Sequence, residues 1–172
     1  MTSLDKKLIL GTVQLGMNYG LSKNNLYKSK KKITKILSYA KRRRIEYLDT
    51  ATSYGLSETN IGNFHKNKNK EFKIITKLKN FSKVKKKNLE NEIFTSVIES
   101  LTLLQKSKID ILLVHHYKDL IIHEKKMIKY LNKLRNIGLV NEIGVSVYSP
   151  KEAIRCLKIK IIKHIQIPFN LL

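Results

Sequence analysis

The sequence of 172 residues predicts an α/β domain, an incomplete TIM-type (β/α)8 barrel with about six strands and five helices. Three observations predict this class. Short apolar runs alternate with amphipathic helical patterns along the chain, several of the runs are continuously apolar, and polar residues stand at the C-terminal ends of successive runs. We expect one domain over residues 1–172, truncated at its C-terminus, because a closed barrel usually needs about 200 residues or more.

The strands are predicted from six apolar runs. Continuous rather than alternating apolar runs are typical of parallel strands that are covered on both faces. The runs are LILGTVQ (8–14), IEYLDT (45–50), FKIITKL (72–78), IDILLVHH (109–116), NEIGVSVY (141–148) and HIQIPFNLL (164–172).

The helices are predicted from apolar residues at helical spacing. The clearest patterns cover 33–40, 89–104 and 127–134. The third should end at Gly138, because glycine adopts the left-handed cap conformation readily. The next should begin with Ser149 as its cap, Pro150 in its first turn and Glu152 at the capping-box position.

The choice of a barrel over a doubly wound sheet depends on where the polar residues lie. Asp49, Lys77, His115 and Ser146 stand near the C-terminal ends of four different strands, which form the rim where barrel enzymes build active sites. A doubly wound sheet would concentrate its chemistry at one switch point, beside a glycine-rich turn after the first strand. The corresponding segment GTVQLG lacks the G-x-G-x-x-G spacing, so we favour the barrel.

Composition limits the partners and the compartment. The 35 Lys and Arg against 13 Asp and Glu give a net charge of +22, which attracts polyanions without specificity. The lysines are scattered, and no aromatic-interleaved basic stripe or zinc spacing indicates a specific nucleic-acid site or a metal. No run of about 18 uncharged apolar residues occurs, so the sequence predicts no membrane span. The opening MTSLDKKLIL lacks the apolar core of a secretion signal. We expect a cytoplasmic protein in which Cys156 belongs to the core and forms no intramolecular disulfide.

Four polar residues could form one proton-transfer site. A free tyrosine has a pKa of about 10, and a nearby ammonium favours the phenolate and lowers that value. Lys77 is expected to supply this charge to Tyr54, and Asp49 is expected to hold Lys77. His115 could hydrogen-bond a carbonyl oxygen beside the phenol. Such a set would protonate a developing alkoxide, a general-acid contribution of roughly 10²- to 10⁴-fold.

The same residues occur in motifs that resemble the aldo/keto reductases. The matching pieces are LGT, DTATSYGLSETNIG, TKL, DILLVHH, IGVS and QIPFNLL, in the order of that family and over essentially the whole chain. The D-T-A-x-x-Y-G-x-S-E block is the specific one. The opening LILGTVQLGMNYG is most similar to bacterial members found with surface-polysaccharide or nucleotide-sugar genes.

The resemblance implies a reductase of aldehyde, ketone or sugar-like carbonyls that uses NADPH, less often NADH. It assigns the catalytic tetrad to Asp49, Tyr54, Lys77 and His115, with Tyr54 as the proton donor. It assigns cofactor contacts to Asp49 and to a further set of residues. These are Gly11 and Thr12 near the nicotinamide, and Ser146 and Gln166 at its carboxamide.

Two departures from the family pattern bear on cofactor binding. Val147 follows Ser146 where many members have asparagine, so one amide contact to the carboxamide is missing. The last two strands of the family, with the aromatic residue that stacks on the nicotinamide and the basic loop that binds the adenosine phosphates, have no counterpart in the 172 residues.

Three alternatives stay open from the sequence. Lys77 could act as the Schiff-base nucleophile of a barrel aldolase. The chain could also be a truncated, inactive relic or an interaction protein, which self-associates or pairs with another chain through its open barrel edges. His116 could line the substrate pocket or be structural. The remaining histidines, which we expect at the surface, are His65, His123 and His164.

Overall fold

Six parallel strands curl into a partial barrel in the computed structural model, which describes residues 8–20, 29–66 and 71–169. The strands follow one another in the sheet in sequence order, and every neighbouring pair is parallel. In chain order the elements are β1 (Ile9–Gly11), α1 (Lys30–Arg42), β2 (Tyr47–Asp49), α2 (Ser57–His65), β3 (Lys73–Lys77), α3 (Leu89–Leu104), β4 (Ile109–Val114), α4 (Tyr117–Asn136), β5 (Val140–Ser146), α5 (Pro150–Leu157) and β6 (Ile162–Gln166). The predicted fold class is therefore confirmed.

The first and last strands, β1 and β6, differ most from their predicted runs. The run 8–14 yields only the three residues of β1, because the chain then turns into a 3₁₀ helix at Val13–Leu15. The run 164–172 was predicted to be a strand to its end, but β6 ends at Gln166, and residues 170–172 lie outside the described part of the chain. Pro168 has no N–H to donate to a ladder and disfavours continuation of the strand.

The predicted helix ends are confirmed. α4 ends at Asn136, and Gly138 follows with a φ of 81°. At the start of α5, the Oγ of Ser149 accepts a hydrogen bond from the backbone N–H of Glu152 at 3.3 Å. The Glu152 carboxylate accepts one in return from the N–H of Tyr148 at 2.8 Å.

The core lies mainly between the outer face of the sheet and the helices. Strand residues such as Leu48, Ile74 and Leu112 point outward and are buried by the helices, and Cys156 of α5 lies in the same layer, as predicted. A smaller cluster of Ile75, Ile111 and Leu113 occupies the inner face. No helix within the described ranges is both long and apolar enough to cross a bilayer.

The expectation that His65 and His123 lie at the surface is wrong. Both side chains are buried, and both contact the backbone of neighbouring segments. The two ring nitrogens of His65 lie 2.9 Å from the carbonyl oxygen of Leu104 and 3.2 Å from the backbone nitrogen of Phe72. Nε2 of His123 lies 3.1 Å from the carbonyl oxygen of Phe81. His164 is partly exposed and pairs with Glu142.

The contacts of His65 make it a link between α2, α3 and the start of β3. Its neutral ring donates from Nδ1 to a carbonyl and accepts at Nε2 from an N–H, so both backbone groups lose their partner when the ring is removed. We expect His65→Ala to lower the free energy of unfolding by roughly 2 kcal/mol, the usual scale for buried groups left unpaired. Chemical denaturation at pH 7.5 measures this loss.

The same substitution should depend on pH. Burial lowers the pKa of His65 below its ordinary 6.5, so its stabilising effect is complete above that value and is lost as pH falls through the lowered folded pKa. The difference between the wild type and His65→Ala should therefore shrink between pH 7.5 and pH 5, values chosen to span roughly the unfolded pKa. A difference that stays constant or grows would contradict this account.

Candidate active site

The polar residues predicted for the site stand at one rim of the partial barrel. Asp49, Lys77, Ser146 and Gln166 are the last residues of β2, β3, β5 and β6, and His115 directly follows β4. Parallel strands of a barrel end at the same rim, so a single sequence position on each strand supplies one group to the site.

An ion pair between Lys77 and Asp49 lies at the base of the site. The Lys77 ammonium is 2.5 Å from Oδ1 of Asp49 and 3.0 Å from the carbonyl oxygen of Thr50, and its side chain is only 2% exposed. Burial lowers the pKa of Lys77, and the Asp49 carboxylate acts in the opposite direction. A buried ammonium without such partners would be strongly destabilising. The predicted pairing of Asp49 with Lys77 is thus present.

Tyr54 lies beside Lys77 and His115. The Lys77 nitrogen is 5.0 Å from the centre of the phenol ring, and the imidazole of His115 meets that ring edge-on at 6.1 Å between centroids. The structure therefore brings together all four residues assigned to the tetrad.

The expected effect of Lys77 on the phenol is wrong. Burial, followed by the nearby Asp49 carboxylate, raises the pKa of Tyr54 to about 12. The ammonium does not reverse this because its charge is compensated by Asp49 at 2.5 Å. Tyr54 is consequently a fully protonated phenol at neutral pH.

His115 is a neutral imidazole. Burial, the neighbouring His116 and the Lys77 charge lower the pKa of His115 to about 4. Its Nδ1 is buried and has no hydrogen-bond partner within the described residues. The ring of His116 lies 4.8 Å away between centroids, in the extended segment that precedes α4.

The loop that carries Tyr54 is fixed by a close backbone approach. A Cβ atom on Gly16 would lie 1.8 Å from the carbonyl oxygen of Tyr54 and 2.3 Å from the nitrogen of Ser57, so only glycine fits there. Gly55 on the other side of this contact has a φ of +57°, which also favours glycine. The segment after β1 and the loop after β2 therefore pack backbone to backbone.

A chain of buried hydroxyl groups lies beneath this loop. Thr12 donates to the carbonyl oxygen of Asp49 at 2.8 Å, Ser57 contacts the Thr12 hydroxyl at 2.9 Å, and Thr50 contacts the Ser57 hydroxyl at 3.0 Å. Sequence reasoning did not assign Thr50 or Ser57 a role, although both lie in the D-T-A-x-x-Y-G-x-S-E block. The block itself was the signal, because these two hydroxyl residues lie within three residues of Asp49 and Tyr54.

The residues predicted to contact a cofactor are spread around the rim. Gly11 is the register partner of Asp49 across β1 and β2, and a Cβ placed on it would meet no atom within 4 Å. Ser146 and Gln166 are register partners across β5 and β6. Gly11 therefore lies on the β1 side of the gap between β1 and β6, and Ser146 and Gln166 lie on the β6 side.

That gap opens into the interior of the partial barrel. A cavity of about 320 Å³ lies between the two edge strands. It is lined by Ile9, Ile75, Ile111, Leu113, His164, Ile165, Gln166 and Ile167. Among the described residues, no group of three or more His, Cys, Asp or Glu is arranged to hold a metal ion.

Comparison with protein families gives the assignment. A sequence model described as the aldo/keto reductase family matches residues 7–172. The chain belongs to the aldo/keto reductase family.

Solved aldo/keto reductases share the fold at low sequence identity. An aldo-keto reductase structure from Pseudomonas aeruginosa has a TM-score of 0.78 and 24% identity, covering 95% of this chain and 63% of its own. One from Bacillus halodurans, solved in a holo form, has a TM-score of 0.73 and 24% identity, and the match covers 96% of this chain and 54% of the relative. One from Brucella melitensis has a TM-score of 0.67 and 22% identity, and the match covers 94% of this chain and 57% of the relative.

The chain thus spans less than two thirds of the length of these structures. A search of curated protein sequences gave no match. In this aldo/keto reductase chain, the six described strands carry Asp49, Lys77, Ser146 and Gln166, and His115 directly follows one of them.

The neutral state of His115 can be measured directly. Because its pKa is lowered to about 4, we expect its ring resonances to stay constant from pH 8 until the pH approaches that value. A histidine-labelled sample followed by NMR tests this, with His115→Asn to assign the signals. A His115 titration near 6.5, its ordinary value, would show that the ring is solvated and not held in the site described here.

Proposed function

We propose that the chain is an NAD(P)H-dependent oxidoreductase that reduces an aldehyde, ketone or sugar-like carbonyl, with Tyr54 as the proton donor. The observation that carries the proposal is the juxtaposition of the protonated Tyr54 phenol with the buried Lys77–Asp49 pair and the neutral imidazole of His115. Family membership supports the reaction class.

Tyr54 holds its proton in the resting site and releases it only when a stronger base develops beside it. The carbonyl oxygen becomes such a base when a hydride reaches its carbon. The Lys77 ammonium, 5.0 Å from the centre of the ring and held in place by Asp49, offsets part of the charge left on the phenol oxygen. Because Asp49 compensates its charge, this effect is too small to ionise the resting phenol. General-acid help of this kind contributes roughly 10²- to 10⁴-fold to the rate.

His115 orients the substrate in this proposal. A neutral imidazole can donate one hydrogen bond to a carbonyl oxygen without adding a charge that would compete with the phenol for the proton. Its edge-on contact with Tyr54 places the imidazole beside the phenol, so in this proposal both groups contact one carbonyl oxygen.

The residues present fit a nicotinamide at the rim. Gly11 borders open space, and Ser146 and Gln166 are paired across the end of the sheet with amide and hydroxyl groups suited to a carboxamide. Together with Asp49, they would hold the cofactor. Thr12, which was also expected to contact it, is fully buried with its hydroxyl bonded to the Asp49 carbonyl oxygen and to Ser57, so its part is to support Asp49 from beneath. The bound NADPH, or NADH in its place, supplies the hydride. The holo form of the Bacillus halodurans relative supports a cofactor in this fold.

The Schiff-base alternative is less favoured by the geometry. Burial lowers the pKa of Lys77, as an amine nucleophile requires, but its nitrogen already contacts the Asp49 carboxylate and the Thr50 carbonyl. Both contacts favour the ammonium form, which is not nucleophilic. Borohydride trapping in the presence of a carbonyl substrate would detect the covalent adduct if it formed.

A fluorescence titration with NADPH tests the proposal without a choice of substrate. We expect saturable binding that survives 0.2 M salt, an amount of roughly physiological strength that weakens non-specific attraction to a +22 chain. Binding that is absent or disappears with salt would contradict the proposal.

Tyr54→Phe then separates chemistry from binding. We expect it to keep NADPH affinity and to lower kcat at least about 100-fold in a carbonyl-substrate screen, because the phenylalanine ring keeps the packing but has no proton to donate. Tyr39→Phe, which alters an exposed tyrosine of α1 far from the rim, is the matched control and should retain activity. Equal loss in both variants would remove Tyr54 from the proposed role.

We also propose, as a second candidate function, that the open edges of the barrel associate with another copy of the chain in the cytoplasm. Apolar side chains stand exposed beside the interior cavity, with Ile9 50%, Ile167 45% and Phe169 90% accessible. An edge strand with exposed apolar neighbours is a ready site for pairing with another chain. This association is compatible with the reductase and would cover the cavity.

Light scattering during size-exclusion chromatography tests the association. We expect the protein to elute as a species larger than the 20.0 kDa monomer. Ile9→Lys should shift it toward monomer, because a charge at the edge opposes pairing. Ile98→Lys, at a similarly exposed residue of α3, should not. A wild-type monomer at all concentrations would contradict this candidate.

A further inference from the structure

Glu58 is a buried carboxyl group outside the four residues assigned to proton transfer. It lies in the first turn of α2 and is only 3% exposed. Its two oxygens accept hydrogen bonds from hydroxyl groups, at 2.7 Å from Thr76 and 3.3 Å from Ser100. No Lys, Arg or His in the described ranges forms an ion pair with it.

Burying the Glu58 carboxyl without a charged partner costs free energy. Burial raises the pKa of Glu58, and the hydrogen bonds from Thr76 and Ser100 oppose that rise only in part. An apolar side chain of similar size would avoid the desolvation penalty if packing were the whole purpose. The two hydroxyl bonds therefore point to a geometric role.

The partner Thr76 connects Glu58 to the site. Thr76 directly precedes Lys77 in β3, and successive strand side chains point to opposite faces of the sheet. Glu58 therefore holds β3 from the helix side, while Asp49 holds Lys77 from the interior side. The strand is clamped at two adjacent residues.

The other end of the connection is Tyr54. The helix that carries Glu58 begins three residues after the phenol, and the N–H of Ser57 donates to the carbonyl oxygen of Tyr54 at 3.1 Å. Thr52, in the same loop, donates its hydroxyl to the carbonyl oxygen of Lys77 at 3.2 Å. Two contacts therefore join this loop and helix to β3. Glu58 of α2 bonds Thr76, and Thr52 of the Tyr54 loop bonds Lys77.

We infer that Glu58 is a positioning residue that fixes the Lys77 ammonium relative to the Tyr54 phenol through its hydrogen bond to Thr76. The catalytic meaning of that distance rests on the proposed function, whereas the positioning itself does not. Ser100 secures the second oxygen of Glu58 from α3, so the carboxyl has one orientation available.

The test follows the Lys77 ammonium by NMR and needs no enzymatic activity. Ammonium protons exchange with water rapidly unless they are buried and hydrogen-bonded, so Lys77 should give a slowly exchanging ¹⁵N–¹H signal. Lys77→Arg, which has no ammonium, assigns this signal by its loss. The measured quantity is the exchange rate of the Lys77 protons with water.

We expect Glu58→Ala to accelerate this exchange about tenfold, the scale expected when one buried hydrogen bond no longer resists local opening. Glu58→Gln keeps an oxygen for Thr76 and a second polar atom for Ser100, so it should restore exchange to within about twofold of wild type. Thr76→Val removes the same bond from the other partner, with little change in shape, and should reproduce the effect of Glu58→Ala if that variant does not fold.

His65→Ala is the matched control, because His65 is a buried, doubly hydrogen-bonded residue at the opposite end of the same helix. Its contact with the β3 segment is at Phe72, before the strand begins, and Lys77 is the last residue of that strand. It should lower stability but leave Lys77 exchange within about twofold of wild type. Unchanged exchange in both Glu58→Ala and Thr76→Val would overturn the inference, and so would equal acceleration in His65→Ala.

A kinetic readout applies once a substrate is known. We expect Glu58→Ala to lower kcat about tenfold with KM nearly unchanged, since the ammonium acts mainly in the transition state. If NADPH does not bind, the proposed reductase fails while the exchange experiment still decides the role of Glu58. If NADPH binds and exchange is unaffected, only the positioning role fails.

Discussion

The ion pair between Lys77 and Asp49 is the constraint on which the rest of the site depends. An ammonium that is 2% exposed requires a carboxylate, so the ends of β2 and β3 must meet in a fixed relation. Once the charge of Lys77 is compensated in this way, it can no longer turn the nearby phenol into a phenolate. Partial burial is the largest cause both of the raised pKa of Tyr54 and of the lowered pKa of His115, so the site holds one ion pair and two neutral rings.

Much of this site could be predicted from the sequence because, in a barrel, residues at the same end of different strands lie close together. Residues at the ends of successive parallel strands meet at one rim, so the strand pattern and the D-T-A-x-x-Y-G-x-S-E block were enough to bring Asp49, Tyr54, Lys77 and His115 together. The direction of the Tyr54 pKa could not be predicted in the same way. It depends on how far the phenol is buried and how near the Asp49 carboxylate lies, and both are set by distances that spacing does not encode.

The fold shows a similar division. α3 and α4 have regular apolar faces and were visible as helical patterns, whereas α2 buries Ser57, Glu58 and His65 on its inner side. A helix whose buried face mixes polar with apolar residues gives a weak periodic signal, and its polar residues read as solvent-exposed positions. The burial of His65 and His123 was missed for a related reason. Their partners are backbone groups that only the folded chain brings near.

The distribution of contacts also separates two parts of the proposed chemistry. The proton-transfer groups are held by β1 to β4 and α2, through the Thr12–Ser57–Thr50 hydroxyls and the Glu58–Thr76 bond. Ser146 and Gln166, by contrast, stand beside the open edge at β6, where the interior cavity faces the gap. A change at the β6 edge acts first on Ser146 and Gln166, the side assigned to the nicotinamide, while the arrangement around Tyr54 depends on contacts among β1 to β4 and α2. Proton transfer and cofactor retention should therefore respond differently to changes at the β6 edge.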